Sequence, residues 1–230
     1  MLSHSPKVQL RPLPVFLLTD TSGSMHGEKI QCVNNALREM IPAFSDLNNP
    51  KGVIKISLIT FGKEVEVIYQ MKDTKDIQLN ELTAYGKTPM GAGLEKTVEL
   101  IEDKSIVPEN SFYSTIVLIS DGLPTDCPIE FLRQNDFSNW KPLQKIFNSE
   151  CTKKSQRLAL AIGDDANINL LKAFVGDPNI PIIEANETRT ITKFFKWITM
   201  SVSVRSQSVD PNKPVLIPVK DFFGDEELIF

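Results

Sequence analysis

Asp20-Thr21-Ser22-Gly23-Ser24 sets one carboxylate and two hydroxyls at alternate positions, with Gly27 and a helical pattern close behind. Glycine permits a tight turn in which such side chains converge. Oxygen donors of this kind suit a hard cation, Mg2+ above all, with Mn2+ or Ca2+ as alternatives. No imidazole or thiolate accompanies them, which argues against zinc or copper. One loop does not fill a coordination shell. The remaining donors are expected from Thr88, in Gly86-Lys87-Thr88-Pro89-Met90-Gly91, and from Asp121, in Ser120-Asp121-Gly122-Leu123-Pro124-Thr125-Asp126. Taken alone, Asp-Thr-Ser-Gly-Ser also describes an ordinary turn. Thr88 and Asp121, each where a strand or loop ends, turn it into a candidate cation site.

The same residues argue against catalysis. Ser24 as a nucleophile would need a base, and the chain has only His4 and His26, neither on a credible triad element. The Gly-x-Ser-x-Gly elbow is missing. Asp20 as a phosphate acceptor would want a second carboxylate where this loop offers hydroxyls. Neither Gly-x-Gly-x-x-Gly nor a phosphate loop is present. A binding site, not an enzyme, is the expectation.

The elements that must carry these loops alternate. Leu13–Thr19 is an apolar run ending at Asp20 and predicts a buried strand. Ile30, Val33, Leu37, Met40, Ile41, Phe44 and Leu47 are spaced by threes and fours and predict a helix, with Glu28 in its first turn. Val53–Phe61 predicts a second strand. Gly62-Lys63 then turns into Glu64–Tyr69, whose polar and apolar residues alternate as in a hairpin partner with one solvated face. Gly91–Glu102 is helical, Thr115–Ser120 a buried strand, Leu158–Ile162 another, and Ile180–Ile183 a short sixth. Ile191–Val204 closes the pattern as a helix. Strands alternating with helices imply an α/β fold: a Rossmann-like, mostly parallel sheet with one antiparallel edge strand and helices on both faces. Ligands of such sheets sit beyond the carboxyl ends of the strands, near the switch in strand order. Two strands here end in aspartate, Asp20 and Asp121.

The bulk properties agree. The 230 residues are 41% hydrophobic and 23% charged, enough for one buried sheet with helices on it. A net charge of −4 gives no basic excess for nucleic acid. No apolar run reaches the roughly 18 residues of a membrane span. Met1–Arg11 lacks a signal-peptide pattern. Cys32, Cys127 and Cys151 form no disulfide framework, so a reducing, cytoplasmic location is expected.

Asp-x-Ser-x-Ser after the first strand, a lone Thr in a Gly-rich loop, and Asp-Gly after a later strand resemble the metal-ion-dependent adhesion site (MIDAS) of von Willebrand factor A (VWA) domains. The resemblance spans residues 11–205, leaving residues 1–10 as a lead and 206–230 as a tail. It implies the VWA fold. It also implies that Ser22, Ser24 and Thr88 contact the metal through their hydroxyls, and that Asp20 and Asp121 act directly or through water. Ser120–Asp126 and the stretch Phe194–Ser203 are similar, more narrowly, to the bacterial TerY group of tellurite and stress resistance. That likeness implies a protein kinase and a PP2C-type phosphatase as partners. Three neutral hydroxyls and at most two carboxylates leave a divalent cation under-neutralised, so an acidic side chain of a partner protein is expected to complete its shell.

Other residues carry two readings each. Thr125 and Asp126 orient the metal loop or form an ordinary turn. His26 is read as a loop residue and Cys32 as a small buried hydrophobe. Phe194, Phe195 and Trp197 are too close in sequence for all to face inward, so one ring is expected to be exposed. The tail, with Phe222, Phe223, Leu228, Ile229 and Phe230, either packs back on the domain or binds a partner, including the metal site of another copy.

Overall fold

The computed structural model describes residues 10–45, 52–213 and 215–230. Residues 1–9 of the lead, His4 among them, lie outside the described residues, as do Leu47 and Pro214. Seven strands form one sheet: β1 (Arg11–Asp20), β2 (Gly52–Phe61), β3 (Val65–Asp73), β4 (Thr115–Ser120), β5 (Gln156–Ile162), β6 (Ile182–Ala185) and β7 (Leu228–Ile229). Their order is β3-β2-β1-β4-β5-β6-β7. Strands β2, β1, β4, β5 and β6 are mutually parallel.

The helices are α1 (Glu28–Ser45), α2 (Met90–Glu102), α3 (Ile129–Gln134), α4 (Lys141–Asn148), α5 (Ile168–Val175) and α6 (Thr188–Gln207). Side chains of β1 alternate between two cores. Leu13, Val15 and Leu17 face α1 and α6, and Phe16 and Leu18 face α2, α4 and α5. Each such side chain, wholly removed from water, stabilises the fold by about 1.5–3 kcal/mol. Burial on both faces is why this strand reads as a continuous apolar run.

The α/β class holds, with one correction. Both edges are antiparallel: β3 pairs with β2, and β7, from the tail, pairs with β6. At two residues β7 is too short for an alternating pattern to announce it. The ring expected at the surface is not there either. Phe194, Phe195 and Trp197 are all at most 2% exposed. Helix α6 is enclosed on three sides, by the sheet, by α1 and by the tail. Phe223 meets Trp197 edge-on at 6.1 Å, and Trp197 Nε1 donates to the Ile217 carbonyl at 2.8 Å.

Candidate metal centre

Strands β1 and β4 lie side by side at the centre of the sheet, with Thr19 opposite Ile119. That register brings Asp20 level with Ser120, at the carboxyl ends where the strand order reverses. Asp20 is fully buried. Its Oδ1 accepts the Ser22 N–H at 2.8 Å and its Oδ2 accepts the Ser120 hydroxyl at 2.7 Å. The Ser22 and Ser24 hydroxyls are 3.0 Å apart. Ser24 donates to Asp121 Oδ1 at 2.7 Å, and Lys29 Nζ lies 2.6 Å from Asp121 Oδ2. Asp121 is fully buried while Ser24 is exposed, so the cluster opens to solvent on the Ser24 side.

Thr88 arrives on a third loop, tied by backbone bonds to the first. Tyr85 N donates to the Thr21 carbonyl at 2.8 Å, and Gly23 N donates to the Gly86 carbonyl at 3.1 Å. Gly86 is required there. Its φ is +92°, and a Cβ would lie 2.6 Å from the Lys63 backbone. The loop after β4 holds Thr88 from the other side. Thr88 N donates to Thr125 Oγ1 at 3.1 Å, and Thr125 N donates to the Thr88 carbonyl at 2.9 Å. Asp126 accepts from Gly91 N at 3.1 Å and Ala92 N at 2.9 Å, at the positive end of the α2 dipole. Thr125 and Asp126 therefore orient the Thr88 loop rather than form an ordinary turn. All five candidate positions sit on three loops bonded to one another.

Burial pushes the Asp20 carboxyl up to about 6, against the pull of its bonds from Ser22 and Ser120. No ion pair of Asp20 occurs among the described residues, and Lys29 is the positive partner of Asp121. Desolvated carboxylate oxygen beside clustered hydroxyls is the donor chemistry of a hard divalent cation, so the residues fit one. Among the described residues no three His, Cys, Asp or Glu side chains gather in a metal-binding cluster. This site is built differently, with hydroxyls as most of its donors. His26 is exposed beside it.

Two residues at the centre were not singled out by spacing. Ser120 precedes Asp121, and only the β1–β4 register shows that its hydroxyl reaches Asp20. Lys29 did carry a signal. A lysine in the first turn of a helix opposes the helix dipole, which calls for a compensating anion.

A doubly wound sheet with convergent oxygen donors at its switch point defines a class of ligand-binding α/β domains. Within that class, residues 15–123 match the family model of the von Willebrand factor type A domain, a stretch that includes all five candidate positions. Over that stretch, just under half of its length, the chain is similar to VWA domains, and its sheet has a VWA-like Rossmann fold. Solved structures share its fold. The VWA2 paralog of ArnB from Sulfolobus acidocaldarius is 19% identical, with a TM-score of 0.58 over 84% of this chain and 45% of that one. Proximal thread matrix protein 1 from the mussel byssus, in a structure with a zinc-occupied MIDAS motif, is 15% identical, with a TM-score of 0.62 over 84% of this chain and 48% of that one. The pilus adhesin SpaC from Lactobacillus rhamnosus GG is 12% identical, with a TM-score of 0.65 over 86% of this chain and 30% of that one. The chain spans less than half the length of each of these proteins. A comparison with curated proteins finds no match. No helix among the described residues is long and apolar enough to cross a membrane.

Proposed function

We propose that this domain is a metal-dependent protein-interaction module. Asp20, Ser22, Ser24, Thr88 and Asp121 hold one divalent cation, and an acidic side chain of a partner protein completes its shell. The observation that carries this reading is the convergence of three loops on two buried carboxylates, with the Ser22 and Ser24 hydroxyls 3.0 Å apart at an open mouth. A bound cation would supply a positive, directional contact for a carboxylate. The chain's own residues orient the donors and withdraw them from water. Binding rather than turnover is the role this reading gives to a site whose donors are mostly hydroxyls. Mg2+ is the favoured ion, with Mn2+ or Ca2+ as substitutes. The zinc of the mussel protein adds Zn2+ to the ions worth testing.

The narrower likeness to the TerY group supports a cytoplasmic scaffold or regulator in a bacterial stress-resistance or defence pathway, with a protein kinase and a PP2C-type phosphatase as partners. Three free cysteines suit a reducing compartment. Titration calorimetry with each ion tests the core of the reading. One equivalent should bind wild type, and Asp121→Asn should lose it. Partner capture should fail in EDTA and in the same variant. Capture that is indifferent to both would overturn the reading.

A further inference from the structure

Lys29 is placed against its local electrostatics. It stands in the first turn of α1, where the helix dipole repels a positive charge. Its ammonium nevertheless reaches Asp121 Oδ2 at 2.6 Å, while Ser24 holds Oδ1 at 2.7 Å. Both oxygens of Asp121 are thus engaged, one by a fellow donor of the site and the other by a charge. The two partners differ in freedom. Asp121 is 0% exposed and the Lys29 side chain 34%. The end of the lysine passes over Gly163, where a Cβ would sit 3.4 Å from Nζ. On its open side lies a cleft of about 490 Å3 bordered by Glu28, Asn186 and Glu187. A long, strongly hydrated ammonium on a flexible stem has somewhere to go, with carboxylates at the rim.

We propose that Lys29 is a resident counter-charge that sets the cation affinity of the site: it neutralises Asp121, competes with a divalent cation for that carboxylate, and yields by swinging into the adjoining cleft. This rests on the metal-binding reading above. It makes affinity a property of a residue outside the donor set. Opposing a double charge with a single one a few ångström away weakens binding by about tenfold even with water-like screening.

The test is calorimetry with Mg2+ alone and Mn2+ alone on the full chain. Lys29→Met keeps the stem and removes the charge, and should bind at least about tenfold more tightly than wild type. Lys29→Gln, which keeps a donor for Asp121, should shift the same way and serves should the methionine variant fold poorly. Lys29→Arg, with the charge retained, should stay near wild type. Melting in EDTA gives an independent readout: the neutral variants should melt lower than wild type, and Mg2+ should raise them by more. If wild type binds and neither folded neutral variant binds more tightly, the inference falls and the metal reading stands. If no variant binds any cation, both fall.

Discussion

Strand β4 has a buried charge at each end, and the two are treated in opposite ways. At its start, Arg205 of α6 is 1% exposed and meets three fixed acceptors. It donates to the Pro211 carbonyl at 2.7 Å, to Thr115 Oγ1 at 2.7 Å and to the Tyr113 carbonyl at 2.6 Å. At the other end, Asp20 accepts from one N–H and one hydroxyl, and its neighbours open to solvent through Ser24. Burial pulls the guanidinium down to about 10 and pushes the carboxyl up to about 6. The arginine is held by two backbone carbonyls and a threonine hydroxyl and ties the tail to the sheet. The aspartate is desolvated beside a cluster that opens to solvent at Ser24. A buried charge whose partners are all fixed acts as a strut, whereas one beside a solvent-accessible cluster of donors is a candidate site.

The contrast can be broken by exchanging the consequences of mutation. Arg205→Met should cost about 3 kcal/mol, because two buried acceptors and a partly buried one lose their donor, while cation binding stays intact. Chemical denaturation followed by circular dichroism measures the first, and Mg2+ calorimetry the second. Asp20→Asn should do the reverse. Cation affinity should fall by at least about tenfold, since a charged ligand becomes neutral. Stability in EDTA at pH 7 should not fall, since the shape is kept and a carboxyl raised to about 6 by burial is a cost to the fold that the neutral amide removes. A strongly destabilised Asp20→Asn would make both ends of β4 struts.

Legibility in the sequence followed the same divide. The central strands were readable because burial on both faces writes continuous apolar runs, and β4 occupies Thr115–Ser120 as the pattern predicts. Helix α1 was readable from its spaced apolar residues. Helix α5 was not, although its caps were present: Asn167 accepts from Leu170 N, and Gly176 ends the helix in the left-handed conformation. Eight residues are too few for periodicity to stand out from loop. At the site, the donor loops showed in the order of Asp20, Ser22, Ser24, Thr88 and Asp121. Ser120 did not, because its role comes from the β1–β4 register, and Lys29 offered only its place in the first turn of α1, since local spacing does not encode a side chain reaching across loops. The tail was ambiguous for a related reason. Its apolar residues announced burial but not the surface that receives them.

The smallest expected effect concerns that surface, and it sharpens the comparison at the tail. Glu227 is a charge of a third kind, partly exposed and paired. It accepts from Thr190 Oγ1 at 2.5 Å, from Lys193 Nζ at 3.0 Å and from Gly224 N at 2.9 Å. Burial works against its charge, yet these bonds together hold the carboxyl below the ordinary glutamate value. A depressed carboxyl stabilises the fold fully above the unfolded pKa, about 4.3, and loses that contribution as pH falls through the folded value. Glu227→Gln should therefore cost about 1 kcal/mol or less at pH 7 and nothing at pH 3. Amide exchange at Leu228 and Ile229, which β7 pairs against β6, should report the loss locally, with the donor loops unchanged. Equal exchange in variant and wild type at pH 7 would show that Phe223 and the Trp197–Ile217 bond hold the tail without it, leaving Glu227 a surface charge rather than a latch.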